Sequence, residues 1–354
     1  MKVLQLIDSL EAGGAERVAV NYANALVNYI DGSYICATRK EGLLKKSLSK
    51  DVVYLFLKKR STIDFVAIIR LRKFIIKNNI EIIHAHGSSY FLATIVRILT
   101  PKLKLIWHDH FGNRINCGLK SILILKLCSI FFSRVFVVNN DLKLWAEQNL
   151  FTKKVIFLRN YPMDNSNIIK TRLHGVENKK IVCLANFRPD KNHELLINAF
   201  GRIINAFPDW TLHLVGKDFN DEYSRSIKTL ITNLNLNKSI YIYGSCMDTS
   251  SILKQAQIGV LSSSSEGLPL SLLEYGLLGL PVIATDVGQC AKVITNNING
   301  LVVKAGNQDM YYNALKFYIE NKDIREIYSQ KFHKHIYNNY SEKETIKIIL
   351  KSYK

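Results

Sequence analysis

No run in this 354-residue chain reaches the roughly 18 uncharged apolar residues that a membrane span requires. The nearest stretch, SILILKLCSIFFS from Ser121 to Ser133, is short and broken by Lys126. The opening MKVLQLIDSLEAGG lacks a signal peptide's layout, because Asp8 ends a very short apolar run that reads better as a strand. The six cysteines are scattered with no CxxC, so a disulfide framework or thiolate metal site is not expected and a reducing cytoplasm is the simplest compartment. No GxGxxG follows any strand-like run, which argues against a dinucleotide-dependent dehydrogenase. There is no DxD, no internal repeat, and no low-complexity tract beyond one serine run.

Positive charge is abundant: the formal net charge is +19. Residues 1–165 hold 25 Lys and Arg against 12 Asp and Glu, whereas residues 166–354 hold 23 against 17. The excess therefore sits in the first half, densest between Arg39 and Lys77. Such asymmetry fits an anionic partner, whether nucleic acid, acidic lipid or a phosphate-bearing molecule, and also fits a set of solvated lysine faces.

Short apolar runs alternate with longer amphipathic ones through most of the chain. KVLQLID, SYICAT, VVYLFL, IEIIHAH, KLKLIWHDH, SRVFVVNN and KKVIFLRN read as strands. After the polar segment YPMDNSNIIKTRLHGVENKK the pattern restarts with KIVCLAN, TLHLVGK, SIYIYG, IGVLSS, PVIATD and GLVV. Strands alternating with helices predict βαβ units and a mostly parallel sheet. The expected fold class is α/β, with two doubly wound domains over 1–165 and 166–322. Helices over 323–354 are expected to pack partly back on the first domain.

Four stretches carry candidate chemistry. Gly13 and Gly14 lie between a strand and a helix, where backbone N–H groups can approach an anion; a plain structural turn is the alternative. SSSSEGLPLSLLEYGLLGLPVIATD (Ser262–Asp286) places Glu266 and Gly267 before a helix and Glu274 in its second turn, with Pro269 expected in the first. The N–H groups of Leu268 and Leu270 fall among the unpaired donors of that helix start, which suit a diphosphate. Carboxylates on either side of it suit sugar and ribose hydroxyls. In NFRPDKNHELL, Arg188 and Lys191 sit between a strand end and a helix start, where two cations can neutralise a diphosphate leaving group. Lone solvated charges remain the bland alternative for each. Finally, His84 and His86, and His108 and His110, form HxH pairs at two strand ends. An HxH pair points both rings to one face, which suits a metal site. A histidine at a strand's C-terminal edge reads better as a polar contact to substrate, with a plain strand-end histidine as the bland alternative. No metal is expected, since no further ligand motif accompanies the pairs.

Taken together, these residues resemble glycosyltransferase family 4, retaining enzymes of the GT-B architecture that use nucleotide sugars. GGAERVAVNYANAL is similar to the family's N-terminal glycine loop and helix, and VIFLRNYPM to the strand-to-Asn element closing the first domain. EGLPLSLLEYGLLGLPVIATD resembles the E-x7-E signature with its following strand, and NINGLVV the late NGxLV segment. KLIWHDHFG resembles the strand ending in the active-site histidine, with His110 at that position. One departure stands out. The family's arginine usually follows a glycine, five residues before the lysine, but here the stretch reads ANFRPDKN, with Asn186 near that spot and Arg188 two residues on.

The resemblance implies two Rossmann-like domains facing across a cleft, the second holding the donor and the first the acceptor. Glu274 would hold the ribose, Glu266 and His110 would work at the transferred sugar, and Arg188 and Lys191 would hold the diphosphate. Backbone N–H groups of Gly13, Gly14, Gly267, Leu268 and Leu270 would assist, and His86 and His108 would lie on the acceptor side. Metal would not be required. The implied partners are a nucleotide-diphosphate sugar and a saccharide or polyprenyl-diphosphate-linked acceptor, in cell-surface polysaccharide synthesis. The expected location is cytoplasmic, with peripheral contact to an anionic inner membrane face an option for Leu55–Lys77 or SILILKLCSIFFSR; core packing is the other reading of both. Nucleic acid is not an expected partner, because no binding motif accompanies the charge. A nucleotide-sugar epimerase of the same architecture and a non-catalytic basic binding protein are the competing readings.

Overall fold

The computed structural model describes residues 1–111, 118–164 and 171–354. The chain forms two compact units, one of Met1–Asn160 with Glu342–Lys354, the other of Tyr161–Ser341.

Among the described residues, the first unit is built on β1 (Lys2–Ser9), β2 (Gly32–Lys40), β3 (Val53–Phe56), β4 (Ile82–His86), β5 (Lys104–Asp109), β6 (Arg134–Val137) and β7 (Val155–Phe157). They form one sheet in the order β3-β2-β1-β4-β5-β6-β7, every pair parallel. Strands buried on both faces read as unbroken apolar runs, which is why VLQLI and IIHAH fold as strands rather than as half-exposed alternating ones. The second unit repeats the scheme with β8 (Lys180–Leu184), β9 (Thr211–Val215), β10 (Ile240–Ile242), β11 (Ile258–Leu261), β12 (Val282–Thr285) and β13 (Leu301–Val303), in the order β10-β9-β8-β11-β12-β13. Each sheet reverses its winding once, between β1 and β4 and between β8 and β11. Ligands of open parallel sheets bind beyond the strand C-termini at such reversals.

The domain expectations shift in three places. The first unit ends at Asn160 rather than at 165. Part of the polar segment YPMDNSNIIKTRLHGVENKK, where the two domains are expected to join, lies outside the described residues at 165–170. Helix Lys322–Asn339 belongs to the second unit. Its Phe332 and Ile336 press on Gly276 so closely that a Cβ there would lie 2.3 Å from Ile336 Cγ1. Only helix Glu342–Tyr353 joins the first unit, where Thr345 Oγ1 donates to the Arg159 carbonyl at 3.2 Å. The apolar face of an amphipathic helix declares that it packs, not what it packs against.

Two helix starts also differ from expectation. STIDFVAIIRLRKFIIKNN reads as a helix with a Ser/Thr start, but Asp64 caps helix Phe65–Lys77 instead, accepting from Ala67 N–H at 3.0 Å. Pro269 stands immediately before helix Leu270–Leu277 rather than in its first turn.

Candidate active site

In the second unit, the site begins where β8 and β11 end. The chain leaves β8 through Ala185–Phe187, held by hydrogen bonds from Ala185 N–H to the Val215 carbonyl and from Phe187 N–H to the Lys217 carbonyl, both 2.9 Å. A short 3-10 turn over Pro189–Lys191 follows. Asn192 then takes a left-handed conformation (φ 47°) and caps helix His193–Ala206 by accepting from Leu195 N–H. Asparagine tolerates that conformation because its short amide can bond locally.

The serine run after β11 stitches itself onto this turn. Ser262 Oγ donates to the Lys191 carbonyl at 2.9 Å, and Ser264 N–H to the Asp190 carbonyl at 2.8 Å. Thr285 Oγ1, at the end of β12, donates to the Ser263 carbonyl at 2.6 Å. Two loops 75 residues apart in sequence thus become one rigid floor.

On that floor Lys191 and Glu266 meet. Lys191 Nζ donates to Glu266 Oε1 at 2.8 Å, and Ser263 Oγ donates to the same oxygen at 2.7 Å. Asp190 adds a second carboxylate 3.3 Å from Lys191 Nζ. Burial works against the Lys191 ammonium, but Glu266 and then Asp190 outweigh it and raise its pKa above the usual lysine value. The ammonium is therefore a fixed positive charge. Gly288 (φ 56°) allows the Glu266 turn to close: a Cβ there would lie 2.1 Å from the Glu266 carbonyl oxygen. Gln289 N–H donates to the Gly267 carbonyl at 2.9 Å, tying the same turn to the segment after β12.

Helix Leu270–Leu277 is anchored by Tyr275, whose hydroxyl accepts from Leu184 N–H at 2.7 Å and donates to the Val260 carbonyl at 3.2 Å. Gly259 makes room, since a Cβ would meet the Tyr275 ring at 2.8 Å. The anchor fixes Glu274 beside it, with Leu268 and Leu270 at the helix start; all three are buried. Arg188 packs its guanidinium over the Phe219 ring, 5.3 Å from the centroid, with Lys217 Nζ 4.9 Å from the same ring.

In the first unit, Gly13 is extended (φ −142°) and Gly14 opens helix Gly14–Leu26. Neither uses left-handed freedom, and nothing lies within 4 Å of a Cβ built on Gly14. The histidines form one stack. The register that places His86 opposite His108 brings together the rings of His84, His86, His108 and His110, with centroids 4.0 Å apart for His108 and His110 and 4.5 Å for His84 and His86. His86 and His108, expected on the acceptor side, are 1% and 0% exposed, because β4 and β5 lie inside the sheet and are buried on both faces. His110, one step beyond β5, is half-buried. Burial lowers the pKa of His84, His86 and His108 well below the usual range and brings His110 to about 3. All four are neutral at ordinary pH.

Three of these rings offer nitrogens within 4.8 Å of one another: His84, His86 and His108. They fit a metal ion poorly. Both nitrogens of His86 are already engaged, by His110 at 2.9 Å and Gln5 at 2.8 Å. The group also contains no carboxylate or thiolate to offset an ion's charge.

Sequence reasoning missed Ser263, Asp190, Gly288, Gln5 and Tyr353. Gln5 had a signal: it is the polar residue inside the apolar run VLQLI. Ser263 lies in the serine run, and nothing local marks Asp190, Gly288 or Tyr353.

Two family models match the chain: "Glycosyltransferase Family 4" over residues 12–155 and "Glycosyl transferases group 1" over residues 164–335. Among curated relatives, the Escherichia coli O-antigen biosynthesis glycosyltransferase WbnH is 26% identical over 348 residues, covering 95% of this chain and 96% of that one. The E. coli UDP-Gal:alpha-D-GlcNAc-diphosphoundecaprenol alpha-1,3-galactosyltransferase is 25% identical over 298 residues, covering 78% and 76%. Among solved structures, Anabaena HepE in complex with UDP and glucose superposes with a TM-score of 0.84 at 17% identity over 99% of both chains, a likeness of fold.

Proposed function

This chain belongs to the glycosyltransferases of the family 4 type, and from that premise we propose that it moves a sugar, with retention, from a nucleotide-diphosphate sugar to a saccharide or polyprenyl-diphosphate-linked acceptor. The observation that carries the donor half is the Lys191–Glu266 pair on the floor beyond β8 and β11. A fixed ammonium answers a diphosphate, and a carboxylate bound to it answers sugar hydroxyls. Arg188 adds the second cation, Glu274 holds the ribose, and the N–H groups of Gly267, Leu268 and Leu270 hold phosphate oxygens.

During transfer the bond from the anomeric carbon to the β-phosphate oxygen breaks, and a bond from that carbon to the acceptor oxygen forms on the same face. The acceptor's proton passes to the departing diphosphate. Lys191 and Arg188 stabilise the charge that develops there, in the role a metal ion plays elsewhere, so the residues present suffice without one. His110 contacts a hydroxyl of the reacting sugars. UDP is the first nucleotide to test, because HepE is seen in complex with UDP and the similar E. coli galactosyltransferase takes UDP-Gal.

The acceptor half rests on the first unit's surface. Helix Phe65–Lys77 buries Ala67, Ile68, Leu71 and Ile75 but exposes Phe65, Val66, Ile69 and Ile76 beside Arg70, Arg72, Lys73 and Lys77. Helix Leu119–Cys128 likewise exposes Leu123, Ile124 and Leu127 beside Lys126. No helix among the described residues is long and apolar enough to cross a membrane. Apolar side chains set among cations instead suit a peripheral seat on anionic lipid, where a lipid-linked acceptor would be found.

The test is a thermal-shift screen with UDP, GDP, ADP and their sugars. A transfer assay to a polyprenyl-diphosphate-linked sugar follows, with the anomeric configuration of the product read by NMR. Stabilisation by one nucleotide and a retained configuration support the proposal. An inverted product removes the mechanism, and epimer formation without acceptor removes the transfer.

A further inference from the structure

Gln5 is fully buried in β1, beside β4, and an amide in that position is costly unless its hydrogen bonds are made. Here both ends of the amide are used. Its Oε1 lies 2.8 Å from His86 Nε2, and its Nε2 donates to the Tyr353 hydroxyl at 3.3 Å. The Tyr353 hydroxyl lies 2.7 Å from His84 Nδ1. On the far side of His86, Nδ1 lies 2.9 Å from His110 Nε2.

The donors in this chain follow one from another. An amide oxygen only accepts, so the proton of His86 is on Nε2. His86 is neutral, so its Nδ1 is bare and accepts. His110 Nε2 must then carry hydrogen and donate to it. At the other end, the Tyr353 hydroxyl accepts from Gln5 and so donates to His84 Nδ1. Every bond in the series points the same way.

We propose that Gln5 and Tyr353, acting through His86, fix His110 as a neutral imidazole protonated on Nε2, leaving Nδ1 as the ring nitrogen that accepts from a substrate hydroxyl. Gln5, His86 and Tyr353 are positioning residues. The use of His110 rests on the glycosyltransferase reading above; the tautomer does not. A fixed tautomer excludes proton donation by Nδ1, so the imidazole orients a hydroxyl rather than protonating a leaving group. That division of labour matches a transfer in which the diphosphate takes the proton. It also gives helix Glu342–Tyr353 a purpose beyond packing: its last turn sets the far end of the series.

The measurement is a two-bond ¹H–¹⁵N correlation spectrum of the full chain labelled with ¹⁵N-histidine, with His86 and His110 assigned through single substitutions. The expected result is an Nε2–H tautomer for both residues, unchanged from pH 6 to 8. An Nδ1–H tautomer or an imidazolium at His110 overturns the proposal without any variant. Tyr353→Phe keeps the ring and removes the hydroxyl. It should move the His86 and His110 signals toward tautomer averaging and lower kcat several-fold with little change in the donor KM. Unmoved signals in a folded Tyr353→Phe protein overturn the relay. Full activity in His110→Ala with the wild-type tautomers in place overturns the catalytic use of the imidazole and, with it, that part of the functional reading alone.

Discussion

Lys191 Nζ and Glu266 Oε1 lie 2.8 Å apart, with the lysine side chain 21% and the glutamate 8% exposed. The cation assigned to the diphosphate is thus held by the carboxylate assigned to the sugar. Donor binding need not order a flexible lysine; it adds phosphate oxygens to an ammonium already in place, which is the preorganisation that makes electrostatic stabilisation effective. Lys191→Met should lower kcat/KM for transfer by about 10²–10³-fold, the range seen when one preorganised donor is lost. It should also lower Tm, because Glu266 is left buried with an uncompensated charge. Lys191→Met combined with Glu266→Met should recover much of the Tm and none of the transfer. Transfer that returns together with Tm would show the pair to be structural.

Gly288 offers a second test of the same turn. Its φ of 56° and the Glu266 carbonyl oxygen 2.1 Å from a built Cβ mean that Gly288→Ala must both strain its backbone and push the Glu266 turn away. Gly306 (φ 75°) shares the left-handed backbone but has nothing within 4 Å of a Cβ. The backbone cost, about 1–2 kcal/mol for a residue forced into that conformation, should therefore appear in the Tm of both alanine variants. Transfer should fall only in Gly288→Ala. Equal activity in the two variants would detach the Glu266 turn from catalysis.

Much of this was legible beforehand, for a physical reason. Parallel strands buried on both faces leave short, dense apolar runs, and each of the thirteen strands of the described residues overlaps a run such as KIVCLAN or PVIATD. Glu266, Glu274, Arg188 and Lys191 stood out because charges beside glycine and proline interrupt such runs. What could not be read was who meets whom. The Lys191–Glu266 contact depends on β8 lying next to β11, which is a fact of strand order. The Gln5–Tyr353 bond joins residues 348 positions apart, and no local pattern encodes it. Burial of His86 and His108 follows from β4 and β5 being inner strands covered on both faces, and an HxH pair alone does not say where its strand lies in the sheet.

Acid should unfold the protein through the same histidines. His84, His86 and His108 are at most 1% exposed, and burial lowers their pKa well below 6.5. In the unfolded chain each binds a proton as pH falls through about 6.5; in the folded chain none does. The stability they contribute is therefore intact above that pH and lost progressively below it. Each costs about 1.4 kcal/mol per pH unit, so roughly 4 kcal/mol per unit for the three. Urea unfolding at pH 7.5, 6.5, 5.5 and 5.0 should show a flat region followed by a steep fall. A flat profile down to pH 5 would mean that the rings take up protons in the folded state and are not held neutral.

The first unit's surface makes a prediction that depends on lipid charge. Phe65 is 73%, Val66 65% and Ile69 54% exposed on a helix that also exposes Arg70, Arg72, Lys73 and Lys77. Cations near an anionic bilayer contribute about 1 kcal/mol each, and inserted apolar side chains contribute through buried area, so the two should act together. Co-sedimentation with vesicles containing phosphatidylglycerol should show binding at low salt that fades by about 0.5 M, since the Debye length then falls well below the 10 Å of 0.1 M salt. Vesicles of phosphatidylcholine alone should bind weakly. Replacing Phe65, Val66 and Ile69 together with serine should weaken binding to the anionic vesicles while leaving transfer to a short soluble acceptor intact, because none of the three belongs to the donor floor. The same variant should lose transfer to a polyprenyl-linked acceptor presented in vesicles. Unchanged vesicle binding in the triple variant would remove this helix from the membrane seat.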